Sequence, residues 1–205
     1  MSISNYGELK TAIEGFALRS TTLDSVMDTL TIAFESWANR NIRIPQMITS
    51  DETLAVSSRF TALPADFLEM ERVVLSSGGQ RYLLEYVTGE AAAALDDSTA
   101  GGTPRAFSIR GTDIELVQAP SSATLLISYY VKLDTITSSD AATNALLTNF
   151  PDIYLYGVLK EAALYMQDGK RMQTFGTRFT QSIDELKRYN RRHRVGVHGG
   201  MARAL

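Results

Sequence analysis

The chain has 205 residues, 44% hydrophobic and 21% charged, a formal net charge of −3 and no cysteine. That balance is ordinary for one or two globular domains and excludes wholesale disorder, and the missing thiols exclude disulfides and thiolate nucleophiles. No apolar run approaches the roughly 20 residues that span a bilayer, and the opening MSISNYGELK is no secretory signal, so synthesis and use in a cytoplasm, away from membranes, is the default expectation.

Residues 4–18 are expected to form a first helix, with Ser4 as its cap and Leu9, Ile13 and Phe16 on one face. Ser20-Thr21-Thr22 breaks it. A longer helix starts near Leu23, where Thr22 can cap and Asp24 sits in the first turn. Its apolar stripe is Leu23, Val26, Met27, Leu30, Phe34, Trp37 and Asn41, and its polar face carries Asp28, Glu35 and Arg40. Pro45 limits it, because the residue before a proline is pushed out of the helical region.

From about Thr49 the pattern changes to short segments rich in β-branched and aromatic residues: TLAVSSRF, MERVVLSS, QRYLLEYV, RAFSIRG, DIELVQ and ATLLISYYVKL. Leu63-Pro64-Ala65-Asp66, Gly78-Gly79, Gly101-Gly102 and Gly111-Thr112 punctuate them. Closely spaced strands with tight turns indicate an antiparallel meander, with Gly111-Thr112 the best hairpin. The exception is Thr88 to Leu95, whose TGEAAAAL reads as a short helix.

Leu146 to Arg194 reads as an αα-hairpin. Asn149 can cap its first helix, Pro151 suits the first turn, and Asp152 complements the dipole. Leu155, Leu159, Ala162, Ala163 and Met166 share one face. Asp168-Gly169 stops this helix, glycine supplying a left-handed conformation. The second helix carries Met172, Phe175, Phe179, Ile183 and Leu186 on one face, and a short turn makes the two antiparallel neighbours. The VGVHGGMARAL segment that follows has three glycines and no periodicity, and is expected to be mobile. The fold class is therefore α+β: a discontinuous antiparallel helical bundle, residues 1–48 plus 133–194, with an inserted antiparallel β meander, residues 49–132, and a tail, residues 195–205.

Charge is unevenly placed. Every Asp and Glu lies at or before Glu185, while Lys187, Arg188, Arg191, Arg192, Arg194 and Arg203 follow with no anion among them. The other 14 basic residues face all 23 acidic ones, leaving the rest of the chain at −9. Three readings of the basic run stay open: a solvated helix end whose cations suit the dipole, a surface that docks on an acidic protein, and a contact with nucleic-acid phosphates.

No catalytic constellation assembles. There is no G-x-S-x-G elbow, and both histidines, His193 and His198, lie in the basic tail without a nearby carboxylate. Asp96-Asp97 reads as a solvated turn, and Gly101-Gly102-Thr103 lacks the Lys and Ser/Thr of a phosphate loop. Tyr154, Tyr156 and Tyr165 could stack bases, but packing explains them more simply, and Trp37 reads as core. No cofactor or metal is expected.

Four stretches, in order, carry a resemblance: YGELKTAIEGFALRS leading into FESWANRNIRIPQM, the turn LPADFLEMERVVL, the strands GTPRAFSIRGTDIELVQAPSSATLLISYYVKL, and the hairpin NALLTNFPDIYLYGVLKEAALYMQDGKRM. Together they resemble the head-to-tail adaptor (connector, head-completion) proteins of tailed bacteriophages. The resemblance implies a non-enzymatic structural protein of the virion neck. It implies a homo-oligomeric ring, usually of twelve copies, beneath the portal protein, through which DNA passes and to which tail or nozzle proteins dock. It further implies a C-terminal segment that reaches the portal, here Lys187 to Leu205, making Lys187, Arg188, Arg191, Arg192, Arg194 and Arg203 the expected portal-binding residues. An acidic body suits a DNA channel, since a negative wall lets the duplex slide. The alternative is a small DNA-binding or packaging accessory protein that uses the same arginines on phosphates.

Overall fold

The computed structural model describes residues 3–17, 23, 25–95, 102–120 and 122–199, with side chains through Arg192. Ser20, Thr21, Thr22, Asp24, Asp96, Asp97, Gly101 and Arg203 lie outside the described residues, as do the side chains of His193, Arg194 and His198. The fold is mixed α+β, and the chain divides into two compact units, Met1–Gln46 with Leu133–Leu205, and Met47–Lys132.

In the first unit, α1 spans Tyr6–Ala17. Its cap is Asn5, whose side chain accepts from Glu8 N–H at 2.9 Å, while Ser4 is held by the Glu8 carboxylate instead. Tyr6, Leu9, Ala12 and Ile13 are buried, and Phe16 is half-exposed. The second helix, α2, runs Met27–Asn41, starting a turn later than the sequence pattern indicates. Its buried row is Met27, Leu30, Thr31, Phe34, Glu35 and Ala38. That row is rotated from the expected stripe, so Glu35 turns inward, and Asn41 is exposed with its amide donating to the Trp37 carbonyl at 2.8 Å.

The expected hairpin begins with an extra short helix. Helix α4 (Ala145–Asn149) precedes α5 (Pro151–Tyr165), and the break falls at Phe150, whose φ of −139° is not helical. Asn149 caps nothing; its amide donates to the Ala145 carbonyl, and it is Asn144 that caps α4 by accepting from Leu147 N–H at 3.0 Å. The left-handed residue after α5 is Gln167 (φ 55°), not Gly169. Asp168 then opens α6 (Gly169–Gly199) by accepting from Arg171 N–H at 3.0 Å. Helix α6 buries Phe175, Phe179, Ser182 and Leu186, while Met172 is exposed and Ile183 only partly covered. Phe34, Trp37, Tyr154 and Phe179 form one aromatic cluster, edge to face for Phe34–Tyr154 (centroids 4.8 Å apart) and Trp37–Phe179 (5.0 Å), and stacked for Phe34–Trp37.

The second unit is a sandwich of two four-stranded sheets. One has the order β1-β8-β3-β4, built from Glu52–Val56, Ala123–Val131, Phe67–Ser77 and Gln80–Leu83. The other has the order β2-β7-β6-β5, from Phe60–Ala62, Asp113–Val117, Ala106–Arg110 and Glu85–Tyr86. The short helix α3 (Gly89–Leu95) forms where TGEAAAAL indicated. Two neighbouring pairs are simple hairpins: β3–β4 across Gly78-Gly79 and β6–β7 across Gly111-Thr112. The rest departs from a meander. β8 inserts between β1 and β3, and β5 pairs parallel with β6, because strand partners are chosen by which faces bury apolar side chains rather than by chain order. Val73, Leu75, Leu125, Ile127 and Tyr129 of one sheet meet Phe107, Ile114 and Leu116 of the other in one core.

Candidate docking surface

Helix α6 is tied to its unit along the row Phe175, Phe179, Ser182 and Leu186. One turn further, two polar contacts and a ring contact fix it again. Asn190 Nδ2 donates to the Arg43 carbonyl at 2.6 Å, Gln46 Nε2 donates to Tyr189 Oη at 3.0 Å, and the Tyr189 ring stacks edge to face on Phe150 at 5.3 Å. Nothing in the sequence pattern marks Gln46, Tyr189 or Asn190 as anchors, because both polar contacts join residues more than a hundred positions apart.

Immediately around and beyond that anchor, Lys187, Arg188, Arg191 and Arg192 are exposed. Lys187 has a 3.7 Å ion pair with Asp184, a contact worth little at an exposed site. Arg188, Arg191 and Arg192 make no ion pair with another described residue. The backbone stays helical through Gly199, and Lys187 and Arg191 stand in the i, i+4 register of one stripe. Arg188 and Arg192 form the adjacent one. From Lys187 to Gly199 the rod extends about 20 Å at 1.5 Å per residue. Its first turn is pinned at Tyr189 and Asn190, so the backbone that carries these cations is fixed there while their exposed side chains keep their rotamer freedom. Such an array attracts an acidic surface over a distance of about one Debye length and weakens as salt rises.

The other sequence candidates resolve into structural roles. Tyr154 is buried, donating to Glu35 and accepting from Asn144, whereas Tyr165 is exposed and Tyr156 partly so; they form no common stacking platform. Trp37 is partly buried against Phe34 and Phe179. Glu115, fully buried on β7, is held by Arg59 through its Nε at 2.9 Å and by Arg110 at 3.3 Å. Glu35 and Glu115 are thus committed to internal partners. Among the described residues no three His, Cys, Asp or Glu side chains gather as metal ligands, and no helix is long and apolar enough to cross a membrane.

A family model described as SU10 adaptor protein matches residues 4–202 of the chain. No curated protein matches it.

Proposed function

The chain belongs to the SU10 adaptor family, a phage structural adaptor rather than an enzyme family, and on that premise we propose that it joins the portal protein to tail or nozzle proteins at the virion neck. Twelve copies close into a ring through a heterologous interface, each using two different faces, and DNA passes through the centre. Residues 1–48 and 133–194 act as one discontinuous helical bundle, residues 49–132 as its β insert and residues 195–205 as a tail, all made in the host cytoplasm before assembly. Lys187, Arg188, Arg191, Arg192, Arg194 and Arg203 dock on acidic portal surface.

The observation that carries this reading is the anchored, exposed, anion-free cationic end of α6. A solvated helix end needs one or two cations to suit its dipole, and it does not need a helix pinned by Tyr189 and Asn190 just where the cations begin. Native mass spectrometry of the full chain with purified portal rings tests it. Ring-stoichiometric binding is expected, lost on truncation after Tyr189 and on reversal of Arg191, Arg192 and Arg194 to Glu. Absence of portal binding, together with DNA binding whose logarithm falls linearly with log salt, would replace it by the DNA-binding reading.

A further inference from the structure

Asp168-Gly169 is the one Asp-Gly or Asn-Gly junction in the sequence, and the docking reading makes no use of its chemistry. An aspartate followed by glycine is open to internal attack, because the next backbone nitrogen lies beside the side-chain carboxyl carbon and glycine has no Cβ to shield it. The nitrogen of Gly169 bonds to Asp168 Cγ and gives up its proton, while one carboxyl oxygen of the protonated acid leaves as water. A succinimide ring results. Water then adds at either ring carbonyl and opens the ring. One opening restores aspartate; the other leaves the main chain running through Cβ, as isoaspartate, with an α-carboxylate as the side group. The water lost is regained, no oxidant or reductant is consumed, and the net change is an isomerisation.

Both reacting groups are reachable. The Asp168 side chain is 40% exposed, Gly169 is exposed, and a Cβ at Gly169 would meet nothing within 4 Å. Two hydrogen bonds oppose ring closure. The Asp168 carbonyl accepts from Met172 N–H at 2.9 Å, which fixes the backbone torsion that would swing Gly169 N toward Cγ. Asp168 Oδ1 accepts from Arg171 N–H at 3.0 Å, which fixes the side-chain torsion, and Arg171 Nε lies 3.4 Å from Oδ2. Closure turns both torsions, so both bonds must open first. They belong to the first turn of α6, and helix ends fray before helix interiors.

We propose that Asp168-Gly169 is a latent isomerisation site and that the cap of α6 is its guard, so that the junction converts to isoaspartate through opening of that first turn. Conversion then disables its own guard. The added main-chain carbon displaces the Asp168 carbonyl and removes the side-chain acceptor, so Met172 and Arg171 N–H lose their partners together. The start of α6 is loosened just ahead of buried Phe175. Only the consequence for docking, through the far end of α6, rests on the adaptor reading; the chemistry at Asp168 does not.

The full chain is stored in neutral buffer and, in parallel, in concentrated urea; samples are digested at intervals and isoaspartate at position 168 is counted by mass spectrometry. Folded chain is expected to convert severalfold more slowly than unfolded chain. Arg171→Pro removes the capping N–H within the first helical turn, where proline is best tolerated, and should raise the folded rate relative to the urea rate. Arg171→Ala keeps that N–H and should raise it less. Gly169→Ala, which the open space at Gly169 admits, should suppress conversion in both conditions. If the Arg171→Pro chain does not fold, the parent gives the second reading: across urea concentrations below unfolding, conversion and amide exchange at Met172 should accelerate together. No isoaspartate at 168 in urea, equal rates in folded and unfolded chain, or undiminished conversion in Gly169→Ala overturns the proposal. So does a folded rate indifferent to Arg171→Pro, or conversion that does not follow exchange at Met172. Portal binding by freshly made chain, which carries no isoaspartate, reads the adaptor proposal separately.

Discussion

Tyr154 Oη donates to Glu35 Oε1 across 2.9 Å, joining α5 to a carboxylate on α2 that is only 5% exposed. The same oxygen accepts from Ile136 N–H at 3.0 Å, and Asn144 Nδ2 donates to Tyr154 Oη at 2.9 Å and to the Asp134 carbonyl at 2.8 Å. One polar network therefore ties α2, the 133–144 connection, α4 and α5 together. A buried carboxylate is tolerable only when its lone pairs are used. Tyr154→Phe should cost about 1–3 kcal/mol, since it leaves Glu35 and Asn144 each short of a partner. Glu35→Leu should cost less than a break of one partner alone implies when combined with Tyr154→Phe, and urea unfolding of the two singles and the double measures that coupling.

Alkaline pH should unfold this protein selectively. Burial above all, then neighbouring carboxylates, holds the hydroxyls of Tyr6, Tyr129 and Tyr154 well above the usual tyrosine range. The folded state keeps these protons while the unfolded chain releases them near pH 10. Stability from these groups is thus fully present below about pH 10 and is lost as pH rises further. Ultraviolet titration should show Tyr6, Tyr129 and Tyr154 failing to ionise until the chain unfolds. Native-state titration of all nine near pH 10 would refute it.

Gly157 of α5 lies directly against Phe34 of α2. A Cβ there would lie 2.3 Å from Phe34 Cε2, and the Phe34 ring is boxed in by Trp37, Tyr154 and Phe179. Alanine gains about 1 kcal/mol in helix propensity, but overpacking costs about 1–3 kcal/mol or more, so the clash should win. Gly157→Ala is expected to lower Tm, and Phe34→Leu in the same chain to recover part of the loss.

Leu159 and Phe179 are buried where α5 and α6 pack. Replacing either by Ala should cost about 2–5 kcal/mol by denaturant unfolding. Unchanged midpoints for both would remove the αα-hairpin from the core.

At the β3–β4 turn both Gly78 (φ 59°) and Gly79 (φ 80°) are left-handed, the backbone of a tight two-residue hairpin. Asn tolerates the first position, so Gly78→Asn should be neutral or slightly stabilising. A β-branched residue does not tolerate the second, and Gly79→Val should cost about 1–2 kcal/mol. Thermal unfolding of the two variants, moving in different directions, is the check.

Local patterns made much of this protein readable. Periodicity placed α1, α2, α5 and α6, the alanine run placed α3, and Gly78-Gly79 and Gly111-Thr112 placed both hairpin turns, because each depends on residues within one or two turns of chain. The family resemblance was likewise readable from the order of four segments, and the family match covers residues 4–202. The run of cations after Glu185 was visible as a string.

Other features were decided only in three dimensions. Glu35 looks like a polar-face residue until the rotation of α2 brings it within reach of Tyr154 and Ile136, on the far side of the β segments in sequence. Asn144 rather than Asn149 became the cap because the chain breaks at Phe150. β8 lies between β1 and β3, an order that puts its Leu125, Ile127 and Tyr129 in the apolar core shared by both sheets. The anchors at Tyr189 and Asn190 depend on Gln46 and Arg43. Sequence specifies which faces are apolar over a few residues; which faces meet is settled by burial across the whole chain, and local spacing does not contain it.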